Sequence, residues 1–285
     1  MKHLVKAWKG AAVLATVSIL VGGCKQVRRD TPLTTTELPT QNTANERVRD
    51  SDATVPSDAF SMIHIAGGTF MMRDTERHAG VDVVVHAPQK MTVAPFDLDA
   101  TEVTAGAYAA CATAHACPPP RSTDRDDPLC TAQRPGYEQH PMTCVDWSQA
   151  TAYCAAQQKR LPTEVEWEYA ARGGQVDAAF PWGNGEPSHQ LCWWSTQRGD
   201  ESCRVASFPR EALGTYDLAG NVQEWTATAE EPPHDENVPS SSIPKDEFRV
   251  VRGGSFGTNA PHGILLHSIE WMKLHIGTVG FRCAR

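Results

Sequence analysis

The sequence predicts one irregular domain of short strands, three short helices and long loops, held together by disulfides. Capping residues mark three helix starts, and eight cysteines lie in the same part of the chain. From residue 175 to the C-terminus no long periodic segment occurs, and glycine, proline and tryptophan are frequent. Because such a chain forms few regular backbone ladders, it needs covalent or metal cross-links to hold its loops.

The first 23 residues have the pattern of a secretory signal peptide. Three lysines precede an uncharged stretch from residue 10 to residue 23. That stretch is shorter than the roughly 20 apolar residues that span a bilayer. It ends in small residues directly before Cys24 and resembles a bacterial lipobox. We therefore expect Cys24 to be lipidated and to anchor the chain to a lipid membrane. The alternative is an ordinary signal peptide that is cleaved nearby.

Residues 24–59 are polar and rich in Thr, Asp, Asn, Arg and Pro. They cannot bury enough apolar surface to offset chain entropy, so we expect a disordered tether ahead of a domain at 60–285. This organisation indicates the bacterial cell envelope. Lys25 favours the outer membrane, with the domain on its periplasmic face or at the cell surface. A net charge of −8 without a basic cluster argues against binding of nucleic acid.

The domain begins with strand signals. Met62–Ile65 and Thr69–Met72 are predicted as two strands around Gly67-Gly68, and Met91–Leu98 as a third. These short apolar runs are bounded by turn residues, as strands of an irregular fold usually are.

Three helices follow from capping signals. Thr104 predicts a helix through Cys111. Asp146 and Thr163 each begin a capping box, in which side chains satisfy the first free amides of a helix. The helix after Thr163 is predicted to run to Arg172 and to end at the glycines that follow.

The cysteines of the domain indicate four disulfides, because an even number in an exported domain is typical of a disulfide framework. They are Cys111, Cys117, Cys130, Cys144, Cys154, Cys192, Cys203 and Cys283. Zinc is the alternative, but the chain has no Cys-x-x-Cys pair. We expect the first four to pair among themselves. Cys192 and Cys203 are close enough to close one loop.

A series of ordered motifs over residues 60–285 resembles the formylglycine-generating enzyme, or sulfatase-modifying factor, family. The motifs are His140-Pro141-Met142, Val145-Asp146-Trp147, Lys159–Ala170, Phe180–Asn184, Gly214–Trp225, Arg252–Phe256 and Gly280–Cys283. The resemblance implies a single α+β domain of the C-type-lectin-like type with little regular secondary structure. It also implies a disulfide between Cys154 and Cys283.

The resemblance further implies where a catalytic metal would lie. Enzymes of this family hold copper(I) between two cysteines shortly after a Gly-Gly-Ser motif, and copper(I) prefers soft thiolates. Here the two positions fall on Thr258 and Gly263, and no cysteine lies between Cys203 and Cys283. We therefore expect neither copper nor catalytic residues. His262, His267 and His275 have a spacing that matches no metal motif.

The absence of this cysteine pair favours a non-catalytic binding or structural module, with envelope proteins, peptides or glycans as partners. Stapled frames with variable loops suit such binding. The alternative is a formylglycine-generating or other metal-dependent oxidoreductase that acts on protein or thiol substrates.

A structural calcium site is also implied by the resemblance. The matching ligands are the carboxylates of Asp217 and Glu224 and the carbonyls of Gly220 and Val222, and calcium needs six to eight oxygen ligands. The alternative is a hydrogen-bonded turn with Glu224 buried against a cation. At the family's other calcium site Cys192 replaces an oxygen ligand, and we hypothesise that a Cys192–Cys203 disulfide restrains that loop instead.

Overall fold

The computed structural model describes most of the predicted domain. The described residues are 61–72, 75–78, 81–84, 88–121, 125, 127–175, 178, 180–185, 191–193, 201–230, 247–258 and 267–285. The chain divides into two units, Met1–Arg47 and Val48–Arg285, and the described residues all lie in the second. Cys24 and the predicted signal peptide and tether lie outside them. No helix in the described part is long and apolar enough to cross a membrane.

Short strands and three helices make up the regular structure of the described residues. In chain order they are β1 (Met62–Ile65), β2 (Gly68–Met72), β3 (Thr75–His78), β4 (Val81–Val84), β5 (Gln89–Val93), β6 (Phe96–Asp99), α1 (Ala105–Thr113), α2 (Trp147–Ala156), α3 (Glu164–Ala171), β7 (Gln223–Ala229), β8 (Phe248–Arg252), β9 (His267–Trp271) and β10 (Val279–Gly280). This is the α+β class with little regular secondary structure that the sequence predicts.

Antiparallel pairs dominate the sheets. β1 pairs with β6, β2 with β5 and β3 with β4, each as a two-stranded antiparallel unit. A four-stranded sheet has the order β10-β7-β8-β9, in which only the short β10 runs parallel to its neighbour. The first two predicted strands correspond to β1 and β2.

The prediction of one strand over Met91–Leu98 is wrong, because the chain forms two strands there. β5 ends at Val93 and β6 begins at Phe96. Pro95 lies between them, lacks an amide proton and disfavours regular pairing of the residue before it. The two halves pair with different strands, so the break redirects the chain from β2 to β1.

The three predicted helices are confirmed, including their caps. Thr104 accepts a hydrogen bond on its side chain from the Ala107 amide at 3.1 Å. The capping boxes of Asp146 and Thr163 are both complete at the starts of α2 and α3. Arg172 is the C-cap of α3 and not its last helical residue.

The four-stranded sheet was not evident from the sequence, because its strands lack an alternating pattern. Glu224, Trp225 and Thr226 of β7 are consecutive and buried, as are Val251 and Arg252 of β8. Strands covered on both faces lose the period of two that reveals a half-exposed strand. The buried charges of Glu224 and Arg252 hide the remaining apolar signal.

Two large clusters of buried side chains form the core. One surrounds α3, where the Tyr169 ring meets Phe70 edge-on at 5.5 Å and its hydroxyl donates to the Gly67 carbonyl at 2.6 Å. The other lies between α1 and α2, where Tyr108 stacks on Tyr153 at 5.4 Å. These aromatic contacts hold the helices in place, because each aromatic side chain buries a large apolar area.

All eight cysteines of the domain are paired. The disulfides are Cys111–Cys117, Cys130–Cys144, Cys154–Cys283 and Cys192–Cys203. They agree with the expected pairing within the first four cysteines and with the two other predicted bridges. Cys154–Cys283 spans 129 positions and ties α2 to the C-terminal segment.

A buried ion pair joins the same C-terminal segment to β7. Arg282 and Glu224 are both fully buried. The Nε and Nη2 groups of Arg282 donate to the Glu224 carboxylate at 2.8–3.0 Å, and Trp167 Nε1 donates to it at 2.8 Å. The remaining guanidinium N–H groups donate to the carbonyls of Asp99, Ala100 and Tyr216. Every donor of this guanidinium therefore has a partner.

Replacing Arg282 with Met is expected to lower the free energy of unfolding by about 3–5 kcal/mol, because the Glu224 charge is left buried without its counter-ion. Urea denaturation followed by circular dichroism measures this loss. Arg285→Met is the control, since Arg285 pairs with Asp97 at the surface and should cost less than about 1 kcal/mol. If Arg282→Met loses as little free energy of unfolding as Arg285→Met, the buried pair contributes little to stability.

Candidate functional site

The loop before β7 carries the residues predicted to bind calcium. Asp217, Gly220 and Asn221 have φ angles of 59°, 88° and 52°. This left-handed region is tolerated by Gly, Asn and Asp better than by other residues, which explains the residue types at the three positions. Asp217 is 7% exposed and accepts a hydrogen bond from the Ala206 amide at 2.7 Å.

Asn221 attaches this loop to the Cys192–Cys203 disulfide. Its amide donates to the Cys192 carbonyl at 2.7 Å, and its side-chain oxygen accepts from the Cys203 amide at 2.9 Å. The backbone of Cys192 also approaches Gly220 so closely that a side chain on Gly220 would collide with it. The disulfide loop therefore packs directly on the loop of predicted ligands.

Of the four predicted ligands, Asp217, Gly220 and Val222 share this loop, whereas Glu224 lies in β7 and its carboxylate accepts hydrogen bonds from Arg282 and Trp167. A carboxylate has about four lone-pair sites. Those of Glu224 receive donors from Arg282 and Trp167, as described above. For Glu224 the structure thus shows the arrangement of the alternative interpretation, a carboxylate buried against a cation.

Three further carboxyl groups surround the Glu224–Arg282 pair. Glu102 is 1% exposed, Asp217 is buried and Glu211 is half-buried. Burial raises the pKa of Glu211 to about 8. Burial, reinforced by the nearby carboxylates, also raises the pKa of Glu102 and of Asp217. Burial is the main cause of each shift, and the charge of Arg282 opposes it by lowering the pKa of all three acids.

One carboxylate oxygen of this group lacks a hydrogen bond. Asn221 Nδ2 donates to Glu102 Oε1 at 2.9 Å, but the buried Glu102 Oε2 has no hydrogen-bond partner among the described residues. An unsatisfied buried polar atom costs roughly 1–3 kcal/mol, and more when it is charged. A hard cation is the kind of group that would satisfy it, since calcium and magnesium bind oxygen ligands.

A small cavity reaches this acidic group from the side of Asp217. Its volume is about 60 Å³. Its lining includes Glu211 and Asp217, with Trp182, Leu191 and Phe208 among the apolar residues. A water molecule needs roughly 10–15 Å³ of such space. The cavity can therefore admit a cation that keeps part of its water shell, and the carboxyl groups of Glu211 and Asp217 in its lining are the ligand type that calcium prefers.

The two positions at which the resemblance predicts copper ligands, Thr258 and Gly263, carry no thiol. Thr258 lies in a tight turn, where its hydroxyl accepts from the Ser255 amide at 2.8 Å and its own amide donates to the Ser255 carbonyl at 2.9 Å. Gly263 and His262 lie outside the described residues. His267 falls in β9, and His275 Nε2 lies 3.5 Å from the Asp146 carboxylate at the start of α2.

A cluster of Asp127, Cys130 and Cys144 has the spacing of a metal site within the described part of the chain. The two cysteines are bonded to each other, so they have no thiolate to offer. The Asp127 carboxylate instead accepts hydrogen bonds from the amides of Leu129 and Gly277 at 2.9 and 3.0 Å. The three residues therefore stabilise the fold through a disulfide and hydrogen bonds.

Comparison with known proteins gives sequence relatives over about half of the chain. The formylglycine-generating enzyme of Bos taurus is 37% identical over 163 residues, which cover 51% of this chain and 44% of that protein. The inactive C-alpha-formylglycine-generating enzyme 2 of Bos taurus is 38% identical over 126 residues, which cover 41% and 38%. The serine/threonine-protein kinase Pkn1 of Chlamydia trachomatis is 34% identical over 162 residues, which cover 53% and 25%. The chain thus spans less than half the length of these relatives.

Solved structures share the fold over most of the chain. PvdO from Pseudomonas aeruginosa aligns with a TM-score of 0.57 and 25% identity, covering 79% of this chain and 93% of that structure. CarF aligns with a TM-score of 0.57 and 19% identity, covering 79% and 98%. Residues 49–285 match the family described as the sulfatase-modifying factor enzyme 1-like domain. The chain therefore belongs to the sulfatase-modifying factor family and carries a domain of the formylglycine-generating-enzyme type.

Proposed function

We propose that this protein is a lipid-anchored envelope protein whose family domain is non-catalytic and serves as a binding or structural module. The observation that carries the proposal is the loss of the thiol pair. The two copper positions are Thr258 and Gly263, and all eight cysteines of the domain are engaged in disulfides. Without free thiolates the domain lacks the donors that copper(I) prefers.

The relatives support a role other than catalysis. One of them carries the word inactive in its name, and another contains a similar domain in a protein kinase. A frame with four disulfides keeps its shape while its loops vary, which suits recognition of envelope proteins, peptides or glycans. Such a domain can be retained in evolution because of the ligand that it binds.

The purified chain is expected to leave a thiol peptide unchanged when it is incubated with copper(I), oxygen and a peptide carrying a sulfatase-type cysteine motif. Mass spectrometry of the peptide is the measurement, and an active enzyme of the family, run in parallel, is the positive control. The double variant T258C/G263C restores the two thiols and should bind copper(I) more tightly than the wild type. An aldehyde formed by the wild-type chain would establish the oxidoreductase alternative and end this proposal.

Replacing Cys24 with Ala is expected to release the protein from membranes, because the acyl chains attached to that cysteine are the proposed anchor. Fractionation of cells that express each form measures the shift from the membrane to the soluble fraction. Lys25→Ala serves as a neighbouring control that leaves the cysteine intact. Membrane retention of the Cys24 variant would contradict a lipid anchor at this position.

We also propose a structural calcium ion at the Asp217 loop, held by the Asp217 carboxylate and the carbonyls of Gly220 and Val222. The cavity beside Asp217 and the excess of buried carboxylates support it. Bound calcium would stabilise the folded state by mass action, and its charge would offset the repulsion between the Asp217 carboxylate and the buried acids near it.

Chelation of calcium is therefore expected to lower the melting temperature of the full chain in detergent, with recovery when calcium is added back. Asp217→Asn keeps an acceptor for the Ala206 amide and removes one negative charge. This variant should lose the response to calcium while remaining at least as stable as the wild type in chelator. A wild-type melting temperature that ignores both chelator and calcium would exclude the ion.

A further inference from the structure

We propose that Glu102, a residue outside the ligand set implied by the family, supplies the second carboxylate of the cation site, in the role that the family pattern gives to Glu224. The ligand class is a divalent hard cation, and calcium is the probe. This inference rests on the proposed calcium ion at the Asp217 loop and deepens it by naming a further residue that holds the ion.

Glu102 lies against the loop of ligands. Asn221, which stands between the two predicted carbonyl ligands, donates its Nδ2–H to Glu102 Oε1 at 2.9 Å. The segment of Glu102 is fixed on both sides. The Tyr216 amide donates to the Ala100 carbonyl at 2.7 Å, and the Val103 amide donates to the Phe281 carbonyl at 2.9 Å. Glu102 is therefore placed between the Asp217 loop and the C-terminal segment.

The free atom of Glu102 distinguishes it from the other acids nearby. Glu224 is occupied by Arg282 and Trp167. Glu211 accepts from the Thr215 hydroxyl and the Leu218 amide, one bond on each oxygen. Glu102 is 1% exposed, and its Oε2 has no partner among the described residues. A buried carboxylate oxygen that lies against the ligand loop and has no donor is suited to a metal ion.

The balance of charge around Arg282 also favours a bound cation. Arg282 already gives its five N–H donors to Glu224 and to three backbone carbonyls, so it has none left for Glu102. One guanidinium charge is then spread over the carboxylates of Glu102, Asp217 and Glu224, all buried. A divalent ion bound at the Asp217 loop would supply the two missing positive charges.

Isothermal titration of the chelator-treated full chain in detergent with calcium chloride tests this role. Glu102→Gln keeps an acceptor for Asn221 and turns the free oxygen into an amide. Glu102→Asp keeps the charge and withdraws the carboxylate by one methylene group. Both variants are expected to bind calcium at least about 10-fold more weakly than the wild type, the loss typical of removing a supporting ligand. The control is Glu138→Gln, an exposed acid outside the group, which should bind as the wild type does.

Each result decides one point. Wild-type affinity in Glu102→Gln overturns the role of Glu102 while the calcium ion at Asp217 stands. Weak binding in Glu102→Gln with wild-type affinity in Glu102→Asp shows that only charge matters, and it also overturns the role as a ligand. If the wild type binds no calcium, the underlying proposal and this one fail together. Circular dichroism checks folding, and where Glu102→Gln does not fold, Glu102→Asp gives the answer. A purely structural Glu102 would lower the melting temperature in chelator and leave the calcium affinity of the folded variant unchanged.

Discussion

The buried pair of Glu224 and Arg282 is the constraint on which the rest of the domain depends. A single guanidinium joins β7, the segment after β6, the loop at Tyr216 and the C-terminal segment, and Trp167 of α3 completes the shell around the carboxylate. Desolvation of two charges is costly, so such a pair is tolerated only when nearly every donor and acceptor has a partner. That condition fixes the relative positions of elements that share little regular backbone pairing.

Two of the disulfides restrain segments that lie next to this ion pair. Cys154–Cys283 holds α2 against the residue that follows Arg282, so the covalent bond and the ion pair restrain one segment together. Cys192–Cys203 holds the two backbone groups that Asn221 requires. The loop before β7 can therefore adopt left-handed conformations, which would be unfavourable in a free chain, because its neighbours are fixed covalently.

Much of this fold could be predicted from the sequence where local chemistry decides it. The caps at Thr104, Asp146 and Thr163 place all three helices, since a cap depends on a few neighbouring residues. The four-stranded sheet could not be predicted, because burial on both faces removes the alternation of polar and apolar residues. For the proposed cation site, the family motif predicts the Asp217 loop, but Glu102 lies more than a hundred positions away from it in the chain. Its relation to Asn221 exists only in three dimensions, and no local pattern in the sequence signals it.

The predicted copper position Thr258 and the buried acids differ in how they are joined to the core. The turn from Ser255 to Thr258 meets the core through Phe256, which packs with the Cys192–Cys203 disulfide and donates its amide to the Asn221 carbonyl at 2.7 Å. Thr258 itself exchanges hydrogen bonds with Ser255 inside the turn. Because the hydrogen bonds of the Thr258 hydroxyl and amide stay within this turn, the residue type at position 258 can change without loss of a core hydrogen bond. The buried acids Glu102, Asp217 and Glu224 differ from Thr258, because they lie around the Arg282 guanidinium and their charges belong to the core. A change in their number alters the charge balance of the core itself, so the proposed cation site would be tied to the fold more closely than the predicted copper position is.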